Sequence, residues 1–364
     1  MMNPNWQTKK LGEVIKLEYG KPLPKSDRKT DGRYPIYGAN GIKSWSNKFY
    51  YDKPTIIVGR KGSAGEINLV EEKFWPLDVT YFTTFDAKKY DLKFLYNLLK
   101  NLELPKLAKG VKPGINRNDI YKIKVPLPPL SEQRRIVKIL DEVFGQIEKV
   151  KANTQKNLEN SKELFESYLK YSYEGNNEWL TKNLFEVAEI NKDKNGRKDL
   201  PYIGMEDIES NSGKFIGSFE PKSVKSSSFY FNDKHILYGR LRPYLNKVLI
   251  PDFEGHCSTE IFPIRVNNSL DKKFLFYWLI KRSTTERINS TCTGARMPRA
   301  NMNKVFKDFK VVFPKSLTEQ KQIVAKLDDL SEKTKKLEQN YRQKLADLEE
   351  LKKSVLNKAF SGEL

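Results

Sequence analysis

The segment LSEQRRIVKILD at Leu130–Asp141 recurs as LTEQKQIVAKLD at Leu317–Asp328. Each copy opens a run of about 40 residues in which apolar side chains return at intervals of three, four or seven. Such spacing places a narrow apolar seam along one side of an α-helix, as in a coiled coil. Because a long polar helix needs a partner to be stable, the repeat predicts two long helices that pack together.

The expected seams consist of the regularly spaced apolar residues of the two runs. In the first run they are Ile136, Leu140, Val143, Ile147, Val150, Leu158, Phe165 and Leu169, and in the second they are Ile323, Leu327, Leu330, Leu337, Tyr341, Leu348 and Val355.

The two runs also carry similar signals at their ends. Ser131 and Thr318 are expected to cap the helix starts with their hydroxyl groups. The acidic residues that follow them, Glu132 and Glu319, suit the positive end of a helix. Glycines follow the far ends, at Gly175 and Gly362, where a left-handed residue commonly terminates a helix.

The duplication extends into the segments that precede the helices. Four pairs of landmarks occur in the same order: Trp6 with LGEV at 11–14 and Trp179 with LFEV at 184–187; IIVGRKGSAG at 56–65 and ILYGRLRPY at 236–244; KFLYNLL at 93–99 and KFLFYWL at 273–279; and the loops at 110–114 and 294–298. We therefore divide the chain into a globular domain at 1–129, a long helix at 130–175, a second globular domain at 176–316 and a second long helix at 317–364.

The order of these segments predicts their orientation. The first long helix leads from the first domain to the second, so a second helix that packs on it must run antiparallel. Each helix would span about 60 Å at 1.5 Å per residue. We expect two similar domains related by a pseudo-two-fold axis, which would let each domain bind one half of a duplex DNA site.

Within the globular segments the pattern indicates an α+β fold. Short runs rich in β-branched and aromatic residues lie between turn residues, and we expect strands at 55–58, 80–84, 235–238 and 247–250. Short helices are expected at 92–101 and 272–282. The prediction is therefore two small curved sheets with a few helices in each domain.

Charge indicates the class of partner. The chain has 66 Lys and Arg against 46 Asp and Glu, a formal net charge of +20 and a pI near 9.5. This excess favours a polyanion, and nucleic acid is the first candidate. No apolar run is long enough to cross a membrane, no signal peptide precedes the first domain, and two cysteines suggest no disulfide framework. We expect a cytoplasmic protein without a membrane partner.

The combined motifs resemble the specificity subunit of type I restriction-modification systems. The resemblance lies in the repeated P-L-x-x-[ST]-E-Q-x-x-I-V entry to a long helix, the Trp-x4-LGE-V opening, the GRKGS and YGRLRPYL segments and the terminal AFSGEL, and it covers the whole chain. It implies two target-recognition domains that read an asymmetric, bipartite sequence in double-stranded DNA, joined by two helical regions that set their spacing.

The resemblance also implies partners and a division of labour. Two copies of a methyltransferase subunit would dock on the helices and methylate adenine N6, and a restriction/translocase subunit would cleave DNA where the system restricts. S-adenosylmethionine, ATP and magnesium would belong to those partners, so this chain is expected to hold no cofactor and to be non-catalytic.

Motifs for chemistry of its own are missing from the chain. There is no amino-methyltransferase Asn-Pro-Pro-Tyr or Asp-Pro-Pro-Tyr motif, and the glycines at 59–65 are not followed by the Lys-Ser/Thr of a phosphate-binding loop. His256 adjoins Cys257 without further ligands at useful spacing, so no metal site is expected. We interpret the carboxylates Asp78 and Glu260 as partners of neighbouring basic residues rather than as nuclease ligands.

The candidate DNA-binding residues are basic side chains in loops that occur in both halves. They are Arg60, Lys61, Lys112, Arg117, Arg240, Arg242, Arg296 and Arg299. Three polar residues near these loops, Tyr244, Asn116 and Asn301, are further candidates for base or sugar contacts.

Two other functions remain open at this stage. One is a self-sufficient DNA methyltransferase or nuclease, which would act without a partner subunit. The other is a basic coiled-coil scaffold for RNA or another polyanion, which would bind without preference for a bipartite duplex.

Overall fold

The computed structural model describes residues 6–194, 199–224, 226–294 and 296–364. The chain divides into two compact units: unit 1 is Met1–Gln155 with Gln343–Leu364, and unit 2 is Lys156–Arg342. Each unit combines small sheets with short helices and with parts of two long helices. The predicted α+β class, with a duplicated domain and two long helices, is confirmed.

Unit 1 is built on three small sheets. Its strands are β1 Gln7–Lys10, β2 Ile15–Tyr19, β3 Tyr34–Gly38, β4 Gly41–Ser46, β5 Thr55–Gly59, β6 Ile67–Val70, β7 Trp75–Pro76, β8 Thr80–Phe85 and β9 Lys124–Leu127, and its short helices are α1 Leu92–Asn101 and α2 Arg117–Tyr121. The first long helix, α3, is Leu130–Tyr171. The sheets have the strand orders β2-β8-β5-β6, β4-β3-β7 and β1-β9.

Unit 2 repeats this plan. Its strands are β10 Leu180–Asn183, β11 Ala188–Ile190, β12 Tyr202–Ile203, β13 Ser228–Phe231, β14 His235–Gly239, β15 Val248–Leu249, β16 Gly255–Ser258, β17 Ile261–Val266 and β18 Lys310–Phe313, and its short helices are α4 Leu184–Val187, α5 Lys272–Ile280, α6 Arg282–Asn289 and α7 Met302–Asp308. The second long helix, α8, is Leu317–Ser361. The sheets have the orders β11-β17-β14-β15, β12-β16-β13 and β10-β18.

The three-stranded sheets differ between the units. In unit 1 the central strand is β3, which pairs with β4 antiparallel and with β7 parallel. In unit 2 the central strand is β16, which pairs with β13 antiparallel and with β12 parallel. The antiparallel four-stranded sheets of the two units have equivalent strand orders. The duplication is therefore preserved in the four-stranded sheet, whereas the three-stranded sheet differs between the units.

The predicted short elements agree with the structure except at 247–250, where β15 is only Val248–Leu249, and near residue 281. Helix α1 has the predicted bounds. The expected helix at 272–282 is wrong at its end, because α5 stops at Ile280 and Lys281 has an extended backbone, with ψ of 128°. The Lys281 carbonyl accepts the N–H groups of Thr284 and Thr285 at 2.9 and 3.0 Å, so a second helix begins there.

The long helices begin at Leu130 and Leu317, as predicted, but the expected N-caps are wrong. Ser131 and Thr318 are the second residues of α3 and α8 and are not their N-caps. The first carbonyls to accept helical N–H groups belong to Pro129, which accepts from Gln133 at 3.0 Å, and to Ser316. The hydroxyl-capping prediction is therefore wrong, whereas the acidic first turns and the left-handed Gly175 and Gly362, with φ of 67° and 82°, are as predicted.

The glutamine of each repeated motif fastens a long helix to its unit. Gln133 is 1% exposed, and its amide accepts the Asp91 N–H at 2.9 Å and donates to the carbonyls of Lys89 and Pro128 at 3.1 and 2.9 Å. Asp91 in turn caps α1 by accepting the Phe94 N–H at 3.0 Å. One buried amide thus links the sheet edge, a short helix and a long helix.

The equivalent glutamine in unit 2 makes the same three bonds. Gln320 is fully buried, accepts the Asp271 N–H at 2.6 Å and donates to the carbonyls of Ser269 and Pro314 at 3.0 and 2.8 Å. Asp271 caps α5 through the Phe274 N–H at 3.0 Å. The repetition explains why this glutamine stands in both copies of the motif: its buried amide satisfies three backbone groups.

The apolar seam is partly mispredicted. Buried positions recur every seventh residue as Gln133, Leu140, Ile147, Thr154 and Ser161 in α3, and as Gln320, Leu327 and Thr334 in α8. Val150 and Leu337, which were expected in the seams, are 38% and 40% exposed. A straight α-helix turns slightly with each heptad relative to a strict seven-residue repeat. The second row of buried positions on each helix therefore shifts by one residue, and Val150 and Leu337 lie outside it.

In unit 1 the two long helices run antiparallel, as predicted. Glu148 pairs with Lys352 at 2.7 Å, and Lys151 pairs with Glu349. The residue number falls along α8 as it rises along α3, which is the antiparallel register. Because these ion pairs are exposed, they contribute little to the stability of unit 1. Their value is that they show which residues of the two helices lie side by side.

The end of each long helix completes the core of one unit. In unit 1 the Phe360 ring lies 5.3 Å from the Phe94 ring on α1. In unit 2 the Tyr173 ring lies 4.6 Å from the Phe274 ring on α5, and its hydroxyl donates to the Phe274 carbonyl at 2.5 Å. Each unit therefore holds the start of one long helix and the end of the other. None of the described helices is apolar enough to cross a membrane.

Replacing Gln133 with leucine should destabilise unit 1. The substitution keeps the approximate volume but leaves one buried N–H and two buried carbonyls without a partner, at about 1–3 kcal/mol for each group. We expect a lower urea midpoint and faster hydrogen–deuterium exchange in α1. The matched control is Gln146→Leu, because Gln146 is exposed on the same helix. Equal effects of the two substitutions would contradict this role.

Candidate nucleic-acid interface

The two basic loops predicted in the first half of the chain meet in unit 1. The first loop, 60–66, follows β5, and the second, 109–116, precedes α2. The Gly62 N–H donates to the Pro113 carbonyl at 2.9 Å, and the Ile115 N–H donates to the Arg60 carbonyl at 3.0 Å. We call these loops the first loop pair.

The same contact exists in unit 2. The loop 240–246 follows β14, and the loop 293–300, described except for residue 295, precedes α7. The Arg242 N–H donates to the Pro298 carbonyl at 2.8 Å, and the Ala300 N–H donates to the Arg240 carbonyl at 2.9 Å. This is the second loop pair, and its bonds join positions equivalent to those of the first. The loops recognised as repeated in sequence are therefore one structural feature that occurs twice.

The predicted cations of the first loop pair have two environments. Lys61 and Lys112 are exposed at the loop surface. Arg60 lies over the Tyr19 ring at 5.4 Å and donates from Nε to the Asp78 carbonyl at 3.0 Å. Arg117, the first residue of α2, lies over the same ring at 4.9 Å.

The predicted cations of the second loop pair also divide into two groups. Arg242 and Arg296 are exposed. Arg240 and Arg299 are held by one carboxylate, Glu260, with Nε to Oε distances of 3.2 and 2.9 Å. The interpretation of Glu260 as an ion-pair partner is confirmed. The backbone carbonyl of Asp78, rather than its carboxylate, accepts the hydrogen bond from Arg60 Nε.

Equivalent positions at the two loop tips both have a left-handed backbone, but they carry different residues. Gly62 has φ of 79°, and the equivalent Arg242 has φ of 50°. A left-handed conformation is unfavourable for arginine by about 1–2 kcal/mol, and it persists here because the backbone on both sides is hydrogen-bonded. Unit 2 thus presents an arginine where unit 1 presents bare backbone.

Two glycines of the GRKGSAG segment are needed because the chain approaches itself closely. A Cβ atom at Gly59 would lie 2.1 Å from the Ser63 carbonyl oxygen, and one at Gly65 would lie 2.4 Å from the Pro105 nitrogen. A Cβ atom at Gly62 would meet nothing within 4 Å. The segment is a tight turn whose tip is open to solvent.

The additional polar residues have structural roles except for Tyr244. Asn116 caps α2 by accepting the Asn118 N–H at 2.9 Å, and Asn301 caps α7 by accepting the Lys304 N–H at 3.1 Å. Tyr244 is 53% exposed beside the tip of the second loop pair. Both asparagines therefore cap short helices through Oδ1.

Tyr19 is a residue that sequence reasoning missed. It ends β2, is 44% exposed, and lies beneath both Arg60 and Arg117. Nothing in its local sequence distinguishes it from other strand tyrosines. Its role depends on α2 folding back across the end of β2, where the Arg117 guanidinium donates to the Leu17 carbonyl at 3.3 Å.

The histidines and Cys257 are structural. Both ring nitrogens of His256 have partners, the Ser228 hydroxyl at 3.0 Å and the Lys222 carbonyl at 2.9 Å. Burial lowers the pKa of His235 and raises that of the Cys257 thiol, which favours their neutral forms. Over the residues that the structure describes, no cluster of three His, Cys, Asp or Glu side chains could hold a metal ion.

Comparisons with known proteins agree on one family. The family model for the type I restriction modification DNA specificity domain matches residues 3–160 and 176–347, once in each half. The chain is 29% identical to the type I restriction enzyme EcoDI specificity subunit of Escherichia coli, over 99% of this chain and 89% of that protein. It is 26% identical to the MjaVIII specificity subunit of Methanocaldococcus jannaschii, over 99% and 93% of the two chains.

A solved structure from a study of complex assembly in a type I R-M system has a similar fold. Its TM-score to this chain is 0.79 at 18% identity, and the match covers 100% of both chains. At that identity the similarity concerns the fold alone.

The glycines of the first loop pair should differ in their tolerance of alanine. Gly62→Ala should destabilise unit 1 by about 1–2 kcal/mol, because only the left-handed backbone resists the new methyl group. Gly65→Ala should cost clearly more, since its methyl group would also collide with the backbone near Pro105. Urea unfolding of both variants measures the difference. Equal destabilisation would contradict the open loop tip.

Proposed function

We propose a detailed function from one premise: the chain belongs to the type I restriction-modification DNA specificity family and is a specificity subunit of such a system. Specificity subunits act with the other subunits of the system and with DNA. We infer that this chain recognises a bipartite, asymmetric sequence in double-stranded DNA, with one half bound by each unit. It would place two copies of an adenine-N6 methyltransferase subunit on that site and, where the system restricts, a restriction/translocase subunit.

The observation that carries this proposal is the repeated loop pair. Both pairs are pinned by the same two backbone hydrogen bonds and carry exposed basic residues, which suits contact with a polyanionic duplex. Their side chains differ, because Gly62 and Arg242 stand at equivalent tips. Two similar supports with different contact groups favour two unlike half-sites over a palindrome.

The eight candidate residues have separate roles in this proposal. Lys61, Lys112, Arg242 and Arg296 are exposed and would contact DNA directly. Arg60 and Arg117 would bind backbone phosphate beside Tyr19. Arg240 and Arg299 hold the second loop pair in shape through Glu260. We propose that this chain is non-catalytic, and that S-adenosylmethionine, ATP and magnesium are bound by partner subunits.

Methylation mapping tests the proposal. The chain should be coexpressed with the methyltransferase subunit of its system in a host that lacks adenine methylation, and N6-methyladenine should be mapped by single-molecule sequencing. We expect methylation at one divided, non-palindromic sequence when both proteins are present and none with either protein alone. Methylation or cleavage by the purified chain alone would identify a self-sufficient enzyme. Equal binding to RNA and to all duplexes would favour a scaffold.

The long helices offer a second test. Removing residues 148–154 and 346–352 deletes one heptad from each helix together with the ion pairs Glu148–Lys352 and Lys151–Glu349. Because a heptad is about 10 Å long, the spacer between the half-sites should shorten by about three base pairs. The half-site sequences should stay the same, which methylation mapping would show. An unchanged spacer would contradict a spacing role for the helices.

A further inference from the structure

We propose that the two units divide the ionic part of DNA binding unequally. Unit 1 supplies a phosphate-binding site made by Arg60, Arg117 and Tyr19, whereas in unit 2 Glu260 neutralises much of the charge of Arg240 and Arg299. This inference rests on the proposed DNA-binding function and adds which unit provides the salt-dependent affinity.

The arginines of unit 1 converge without a carboxylate. Their guanidinium carbons lie 5.4 and 4.9 Å from the centre of one tyrosine ring, and their hydrogen-bond acceptors are the backbone carbonyls of Asp78 and Leu17. Among the described residues, no carboxylate oxygen lies within the 4.0 Å ion-pair distance of either side chain. Two positive charges therefore lie beside one partly exposed aromatic ring.

This geometry suits a phosphate group. The face of the Tyr19 ring attracts cations but leaves most of the repulsion between two guanidinium groups in place. A phosphate group bound beside the ring would offset that repulsion and accept charge-assisted hydrogen bonds. With 44% of Tyr19 exposed, the site can be reached from solvent.

The arginines of unit 2 have a different electrostatic environment. The Glu260 carboxylate oxygens lie 3.2 Å from Arg240 Nε and 2.9 Å from Arg299 Nε. The Glu260 side chain is 21% exposed, Arg240 is 30% exposed and Arg299 is 38% exposed. One negative charge therefore serves two arginines that come from the two loops of the pair. Glu260 is a positioning residue: it ties the loops together and lowers their net charge.

The two arrangements lead to different binding chemistry. The pair in unit 1 would bind a phosphate of any sequence, since phosphate contacts carry no base information. In unit 2 the exposed Arg242, on a backbone pinned at Pro298, would supply a contact whose orientation is set in advance. Unit 1 would thus provide more of the salt-dependent affinity.

The salt dependence of binding to a random-sequence DNA duplex tests this division with the full chain. For each phosphate that a variant no longer neutralises, the slope of log K against log salt concentration should become less steep by about 0.9. Arg60→Gln with Arg117→Gln should therefore reduce the slope by about 0.9, whereas Arg60→Lys with Arg117→Lys should retain it because the charges remain. Replacing the whole cluster by R240Q/E260Q/R299Q should change the slope by much less.

Glu260→Gln gives the sharpest result, because it frees two arginines without a change of volume. We expect a steeper slope and tighter binding at low salt. The control Glu286→Gln frees Arg282 from an exposed pair on α6, outside the loops, and should leave the slope unchanged. If E260Q leaves the slope unchanged, or if the R240Q/E260Q/R299Q cluster replacement reduces it as much as the unit 1 glutamine pair does, the unequal division is wrong.

The result of the salt-dependence test can be distinguished from the result of the test of the proposed function. Random-sequence DNA reports ionic contacts alone, while methylation mapping with the partner subunit reports recognition of a target. A complex that methylates a divided sequence but shows equal slopes for both sets of variants would overturn only the unequal division. Absence of any divided target would overturn the proposed function.

Discussion

The buried amides of Gln133 and Gln320 are the interactions on which the rest of each unit depends. Each satisfies three backbone groups at the point where a long helix leaves its globular domain, and the N–H it accepts belongs to the residue that caps a short helix. A buried amide with all its partners specifies one geometry, because any rotation leaves polar groups unpaired. The helix therefore begins at a fixed place and angle relative to the sheet of its own unit. The first loop of each pair follows a strand of the four-stranded sheet in that unit.

The duplication shows which parts of the domain are scaffold and which are free to change. The four-stranded sheet, the glutamine network and the backbone bonds of the loop pair occur in both units. The three-stranded sheet has a different central strand, and the loop tips carry Gly62 in one unit and Arg242 in the other. A scaffold with a repeated hydrogen-bond framework tolerates such changes because the loop backbone is held independently of its side chains. Two domains of common origin can thus recognise different sequences, which is what an asymmetric bipartite site requires.

The two units also differ in the electrostatic environment of their loop arginines. The formal charge of +20 is a property of the whole chain and would attract any polyanion. The placement of Glu260 between Arg240 and Arg299 turns two potential phosphate contacts into a link between loops, whereas Arg60 and Arg117 keep their charge over Tyr19. In the proposed division, a count of basic residues overstates the ionic contribution of unit 2. Arg242 retains its exposure and its strained backbone, a combination typical of a functional position.

The sequence by itself determined the duplicated plan, the two long helices, the α+β class and the loops that carry the basic residues, because periodicity and repeated motifs depend on local order. It even located α1 to the residue. Only the tertiary structure decided the function of individual side chains. It made Asn116 and Asn301 helix caps, moved Val150 and Leu337 out of the seams and assigned Glu260 to two arginines. Tyr19 gained its role in the same way. The physical reason is that hydrogen bonds, ion pairs and ring contacts between residues far apart in sequence depend on how elements pack, which a local pattern does not contain.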